Sequence, residues 1–326
     1  MKIIKLSHII ILLTFLSISF PSCNKDEIIE AVGPDNPDST GFRPITPQSS
    51  GTVDRVFEWT PAPGQYINDF GSTFDGDHPI TSEEAAQWAF ERLSKRQFVS
   101  LGAFGGYIIS GFDHSIKNIG DYEIGVFGNA FLSQNGCSDE PGIVYVMKDT
   151  NGNGLPDDIW YELKGSDTFA EGTIWNYQVT YYKPAGDEKP VKWSDNLGNT
   201  GEISYLGAFH KQSSYYPEWI DSETYTLCGT CLEAKTCQNP ETGNWENPPF
   251  EWGYADNIGE DNIELDGIKN CNRFRISDAI DKDGNPVNLD FIDFVKVQTG
   301  VSATAGWLGE VSTEVLGIID LSLIKE

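Results

Sequence analysis

The run Tyr107-Ile108-Ile109-Ser110-Gly111-Phe112 stands between the turn pair Gly105-Gly106 and the polar pair Asp113-His114. It is short, rich in β-branched and aromatic residues, and closed at both ends, which marks a strand rather than a helix. Similar runs precede it at Val56–Trp59 and Phe98–Leu101. They follow it at Tyr122–Phe127, Ile143–Met147, Ile159–Leu163, Tyr177–Lys183, Val191–Trp193, Tyr225–Leu227, Phe274–Ile276, Ile292–Gln298 and Val311–Ile319. Only Ser82–Leu93 carries a helical period. Thr81 and Glu84 have the spacing of a capping box, and Ala85, Trp88, Ala89 and Leu93 fall on one face. Many short strands and one short helix predict a mostly β fold, a β-sandwich or barrel. No repeat period or internal linker divides the body, so residues 53–326 are expected to form one elaborated domain. An irregular excursion over about 196–270 reads as a long loop insertion, the place where a rigid sandwich carries its binding surface.

Acidic residues number 49 against 22 basic ones, for a formal charge of −27 over 326 residues. A polyanion without a basic stripe repels phosphate, which excludes a nucleic-acid partner. It also repels an anionic bilayer, so any membrane attachment must be covalent. With 33 Gly, 17 Pro and 12% aromatic residues, the composition is that of a loop-rich globular β protein.

Residues 1–22 form a leader. Lys2 and Lys5 precede an apolar run from Ile9 to Phe20, too short for a comfortable membrane span and laid out as a secretory signal. Ser22-Cys23 at its end resembles a bacterial lipobox, although Phe20 and Pro21 depart from the usual residues; an ordinary signal peptide is the alternative. The resemblance implies that Cys23 becomes the lipidated N-terminus, whose two or three acyl chains, palmitate among them, hold firmly in a membrane. The tract Asn24-Lys25-Asp26-Glu27 resembles the signal that sends Bacteroidetes lipoproteins to the outer face of the outer membrane. Residues 23–52, rich in Pro, Ser, Gly and Asp, read as a flexible tether.

Phe98-Val-Ser-Leu-Gly102, followed by Gly105 to Asp113, resembles a strand pair of bacterial galactose-binding-like jelly rolls. The likeness extends through Phe127-Gly-Asn-Ala-Phe131, Glu140-Pro-Gly-Ile-Val144 and Trp160-Tyr-Glu-Leu163. It returns at Asp281-Lys-Asp-Gly-Asn-Pro-Val287 and Ile292-Asp-Phe-Val-Lys296. From about Phe57 to Leu323 the chain is similar to the Bacteroidetes family known only as "cell surface protein". That resemblance implies a jelly-roll sandwich on an outer-membrane lipoprotein that accompanies a TonB-dependent transporter, in some members beside cobalamin uptake.

The sharpest motif is Asp149-Thr-Asn151-Gly-Asn153-Gly154-Leu155-Pro-Asp157-Asp158. Oxygen ligands at alternate positions, a glycine for the sharp turn, the Leu155 carbonyl and a later carboxylate match the first half of a calcium loop. Asp158 could replace Asp157, and Glu162 or a distant acid would complete the shell; an Asn/Gly hairpin without metal is the alternative. Asp278, Asp281, Asp283 and Asn285 form a weaker set that a simple turn explains. Cys137, Cys228, Cys231, Cys237 and Cys271 follow Cys23. In an exported protein they predict two disulfides and one free thiol, with a zinc site or free thiols as alternatives.

Aromatic residues crowd the 196–270 segment. His210, Tyr215, Tyr216, Trp219, Trp245, Trp252 and Tyr254 are candidate contacts for a carbohydrate or a small nutrient such as a corrinoid, against the alternative of a second hydrophobic cluster. Asp113-His114-Ser115 does not make a triad by adjacency, because neighbours on a strand face opposite ways. Glu140, Glu251, Asp256, Glu310 and Glu314 could supply a glycosidase pair only at a suitable separation. The expectation is therefore a non-catalytic, calcium-stiffened surface lipoprotein that binds a ligand. A secreted glycan hydrolase and a structural or adhesive domain are the opposing classes.

Overall fold

In Val295-Lys296-Val297-Gln298 the valines are buried to 0% exposure while Lys296 is half-buried, the two-residue period of a strand with one fully dry face. That strand lies in the middle of the largest sheet of the computed structural model, which describes residues 41–68, 81–133 and 136–324. The leader, Cys23 and residues 23–40 of the expected tether lie outside the described residues.

In chain order the first strands are β1 (Arg55–Thr60), β2 (Val99–Ser100), β3 (Tyr107–Lys117), β4 (Ile124–Phe127), β5 (Phe131–Ser133), β6 (Gly136–Ser138), β7 (Gly142–Met147) and β8 (Trp160–Leu163). They continue as β9 (Ile174–Tyr182), β10 (Val191–Asp195), β11 (Thr200–Ile203), β12 (Thr224–Cys231), β13 (Cys237–Gln238), β14 (Trp245–Glu246), β15 (Asn262–Leu265) and β16 (Ile268–Phe274). The last are β17 (Ala279–Ile280), β18 (Phe291–Thr299), β19 (Glu314–Val315) and β20 (Gly317–Asp320), and one helix, α1, spans Ser82–Ser94.

The fold is mostly β, of the β-sandwich class, with antiparallel sheets and no barrel. One sheet has the order β1-β3-β18-β7-β8-β17 and a second β15-β16-β4-β20. Ile108, Val144, Val146, Val295 and Val297 from the first form one core with Ile124, Val126, Phe274 and Ile318 from the second. A third sheet, β11-β10-β9-β12, closes a separate core around Phe104, Tyr177, Val179 and Tyr181.

Helix α1 begins where the sequence says it should. Thr81 accepts from the Glu84 amide at 3.2 Å, the Glu84 carboxylate accepts from the Thr81 amide at 3.2 Å, and Ala85, Trp88, Ala89 and Leu93 are buried. Loss of an N-cap side chain costs about 1 kcal/mol. Thr81→Ala is expected to lower the unfolding free energy by about that amount in urea denaturation.

Two expectations are corrected here. The 196–270 segment is not one loop, since it supplies β11 through β15 and β12 pairs with β9 along most of its length. The tether does not run to residue 52, because residues 41–52 already lie on the domain. The reason is a bulge. Between the pairs Phe294↔Gly111 and Ile292↔Ile116, β18 has a single residue, Asp293, opposite Phe112 to Ser115 of β3. Such a bulge frees backbone groups that need partners. Arg43 supplies them: its carbonyl accepts from the Ser115 amide at 2.8 Å, its amide donates to Ser115 Oγ at 2.9 Å, and its guanidinium donates to the Phe112 carbonyl at 2.8 Å.

Candidate functional site

The loop from Lys148 to Ile159 joins β7 to β8, and its backbone curls around the Asp149 carboxylate. Asp149 is 2% exposed; Oδ1 accepts from the amides of Gly152 at 2.8 Å and Asn153 at 3.2 Å, and Oδ2 accepts from Gly154 at 2.8 Å. Gly152 and Gly154 have φ of +70° and +73°, the left-handed region that permits the curl. The side chains of Asn151 and Asn153 converge on Asp157, their amides 3.1 and 2.9 Å from its two oxygens. These hydrogen bonds hold the Asp157 carboxyl below the usual carboxylate range. Asp149, Asn151, Asn153, Leu155 and Asp157 thus share one tight turn, in which the oxygens of Asn151 and Asn153 accept from the amides of Asn153 and Leu155 at 2.9 and 2.8 Å. A carboxylate has about four lone-pair sites, so Asp149 keeps capacity for a cation after its three amides.

Two expected ligands do not join this set. Asp158 caps the loop from within, accepting from the amide and hydroxyl of Thr150. Glu162 lies two residues along β8 opposite Tyr145, where its carboxylate accepts from Thr230 Oγ1 at 2.5 Å. Burial pushes Glu162 up to about 7, and burial likewise lowers the neighbouring Lys296 to about 8. The 281–285 segment is a turn, closed by Asp281 accepting from the amides of Asp283 and Asn285 at 2.9 and 2.8 Å.

Below this loop sits Asp293, fully buried. Its Oδ2 accepts from the Asp149 amide at 2.8 Å, and its Oδ1 accepts from Ser115 Oγ at 2.5 Å and Arg43 Nη2 at 3.1 Å. His114, also buried, lies between Asp113 Oδ1 at 2.6 Å and Asp320 Oδ2 at 2.9 Å. The bulge of β3 lets the adjacent Asp113 reach the ring, and the histidine joins β3 to β20 as a structural bridge.

Most of the aromatic candidates are core. Tyr215, Tyr216, Trp219 and Tyr254 are at most 5% exposed: Tyr215 and Tyr216 join the core of the third sheet, Trp219 the main core, and Tyr254 a smaller cluster with Phe250. His210 is half-buried with Nε2 2.9 Å from the Tyr66 hydroxyl, and Trp245 packs against the backbone of Gly306. Trp252 lines a cleft of about 420 Å³, with Tyr122, Lys164, Asp261, Arg273, Arg275 and Asp278 prominent in its wall, while Tyr216 touches a smaller one of about 200 Å³. The guanidiniums of Arg273 and Arg275 lie 4.2 and 3.9 Å from the centre of the Tyr122 ring. Sequence reading passed over this pair, although Arg273-Phe274-Arg275 sets two cations at alternate positions, at and just past the end of β16, in a strongly acidic chain. It also passed over Phe209 and Trp307, an exposed ring pair with centroids 6.0 Å apart.

Of the carboxylates weighed as a glycosidase pair, Glu140, Asp256 and Glu314 meet inside the molecule, with oxygens within 4.8 Å of one another. Asp256 accepts from the amides of Asn129, Ala130 and Glu314 at 2.7, 2.7 and 2.9 Å. Burial first, and then the charge of Asp256, push Glu140 up to about 8; burial and Glu140 raise Glu314, and burial and Glu314 raise Asp256. Glu310 stands apart, raised by burial to about 7 while accepting from the Gln65 amide at 2.6 Å. None of these carboxylates lines the Trp252 cleft, and Glu251 is exposed.

The two predicted disulfides are not formed, for Cys137, Cys231, Cys237 and Cys271 all carry free thiols. Cys137 and Cys237 flank β14 from opposite sides, one strand too far apart to bridge without backbone movement. Cys231 and Cys271 belong to different hydrophobic clusters, so a four-sulfur zinc site is not assembled either; burial pushes both thiols up to about 12. Among the described residues, no helix is long and apolar enough to cross a membrane. No family model matches the chain, and no curated protein matches it.

Proposed function

We propose that this chain is a lipid-anchored surface protein that captures a small molecule or glycan in the Trp252 cleft, without chemistry of its own, and passes it to an outer-membrane transporter. The observation that carries the binding part is the cleft itself. Its volume falls in the range of small-ligand sites, and it combines a half-buried indole and a phenol ring with convergent polar groups. The anchoring and the transporter rest on the Cys23 segment and on the family resemblance. Calcium at Asp149, Asn151, Asn153, Leu155 and Asp157 would stiffen the β7–β8 connection. The exposed Phe209–Trp307 pair favours the adhesive class as a second reading.

Thermal melting of the mature chain tests these roles together. Calcium after EDTA treatment is expected to raise the melting temperature, by an amount equivalent to about 2.7 kcal/mol at a hundredfold excess over the dissociation constant. The shift is expected to vanish in Asp157→Ala, a better probe than Asp149, which the fold itself needs. A saccharide or cyanocobalamin that stabilises the wild type but not Trp252→Ala supports capture. If Trp252→Ala responds to every ligand as the wild type does, the cleft is not the binding site.

A further inference from the structure

The Trp252 cleft brings two arginine guanidiniums onto one ring. Acidic residues outnumber basic ones by more than two to one, and several cations elsewhere meet carboxylates. Arg43 meets Asp293 at 3.1 Å, Lys148 meets Asp290 at 2.8 Å, and Lys235 meets Asp167 at 3.4 Å. Within the cleft, Lys164 is paired with Asp278 at 3.4 Å. Arg275 has no hydrogen bond or ion pair from its guanidinium among the described residues, and Arg273 has only a 3.4 Å bond from Nε to the Asp261 carbonyl. Both are half-buried and both lie over the Tyr122 ring. Stacking occupies the face of a guanidinium and leaves its in-plane N–H groups free, the geometry that grips a carboxylate or sulfate by two parallel bonds.

The acids lining the same cleft do not cancel this pair. Asp278 belongs to Lys164. Asp261 is buried and accepts from the Gly253 amide at 2.8 Å and from Asn272 Nδ2 at 3.3 Å, so its oxygens serve the fold. Glu260 is exposed and unconstrained. Trp252 adds a flat apolar surface among these polar groups, which suits the C–H face of a sugar ring with its hydroxyls at the edge.

We propose that the cleft takes a sugar bearing a carboxylate or a sulfate, gripped by Arg275 and Arg273 with its ring against Trp252. This rests on the capture reading above and names the ligand class for it. Such a ligand approaches a polyanion, so long-range repulsion is overcome only by the local fork, and selectivity for the anion resides in these two side chains.

Calorimetric titration of the mature protein with methyl glucuronide, sulfated glucose and methyl glucoside tests this. The glucuronide, the sulfated sugar or both are expected to bind at least tenfold more tightly than the neutral glucoside, and the stronger of the two identifies the anion. Arg275→Gln is expected to lose about 10- to 100-fold for the anionic sugar, the worth of a charge-assisted hydrogen bond. Arg275→Lys, which keeps the charge but not the fork, should fall between, and Glu260→Gln should bind the anion more tightly than the wild type. Melting curves of each variant separate lost binding from lost folding. Equal affinity for the neutral glucoside and the anions, unchanged in Arg275→Gln, would overturn the anion preference and leave capture standing. Binding by none of the three sugars also overturns it, and capture then depends on the wider ligand panel with Trp252→Ala.

Discussion

Asp293→Ala is expected to lower the unfolding free energy by about 3 kcal/mol, the lower end of the cost of stripping one partner from a buried charged pair. The lower end applies because the Arg43 side chain is 36% exposed and regains water. The rest of the cost comes from groups that cannot recover: Ser115 Oγ and the Asp149 amide lose their acceptor inside the protein. Asp293→Asn keeps an acceptor oxygen and should cost less than alanine. Arg43→Ala should cost less still, since its carbonyl and amide continue to fill the bulge of β3. Urea denaturation of the three variants gives the ranking. A loss below about 1 kcal/mol for Asp293→Ala would mean that the bulge and the calcium-like loop hold without their shared carboxylate.

The second large effect is a pH dependence of unusual sign. Glu140 keeps its proton to about pH 8 in the folded chain against an ordinary 4.5, Glu310 to about 7, and Glu314 and Asp256 are raised as well. Between those limits the folded chain binds more protons than the unfolded one, so unfolding free energy falls as pH rises. The Glu140 share of this stabilisation is fully present below about pH 4.5 and lost as pH rises through about 8. Each unit of raised pKa is 1.36 kcal/mol, so the cluster as a whole is expected to cost several kcal/mol across the window. Lys296 acts oppositely and later. Its pKa is lowered to about 8 from 10.5, so its own contribution grows between those values, while the buried thiols of Cys231 and Cys271, raised to about 12 from 9, work against it above about pH 9. Urea midpoints at about pH 5, 6, 7 and 8 check the slope. Glu314→Gln, which keeps a hydrogen-bonding group but cannot ionise, should flatten it. A wild-type midpoint that climbs over this range would show that the cluster is ionised in the folded state.

The sequence was most legible where one local rule decided the outcome. The capping box at Thr81 and Glu84, the curl around Asp149 and the mostly β class all follow from spacing within a few residues. It was least legible where a partner lay far along the chain. Tyr215, Tyr216 and Tyr254 look like ligand-stacking rings in isolation, and only partners from distant parts of the chain make them core. The same blindness hid the role of Arg43, whose partner Asp293 lies 250 residues away. Glu162 was assigned by its distance from Asp149 along the chain, yet strand alternation turns it toward Tyr145 and Thr230. Arg273 and Arg275 could have been noticed from their alternation alone, but the unpaired state of Arg275 could not.

The clamp at Arg43 also has a mechanical meaning. Among the described residues, a pull arriving at Gly41 meets the hydrogen bonds of Arg43 before it reaches a strand. Through Asp293 that load passes to β18, which is laced to β3 on one side and β7 on the other. Peeling an edge strand breaks one ladder rung at a time, whereas dragging an interior strand strains two ladders together. A domain held against flow by its N-terminal end would therefore take the strain at the strongest part of its largest sheet, while α1 and the Trp252 cleft stay outside the line of force.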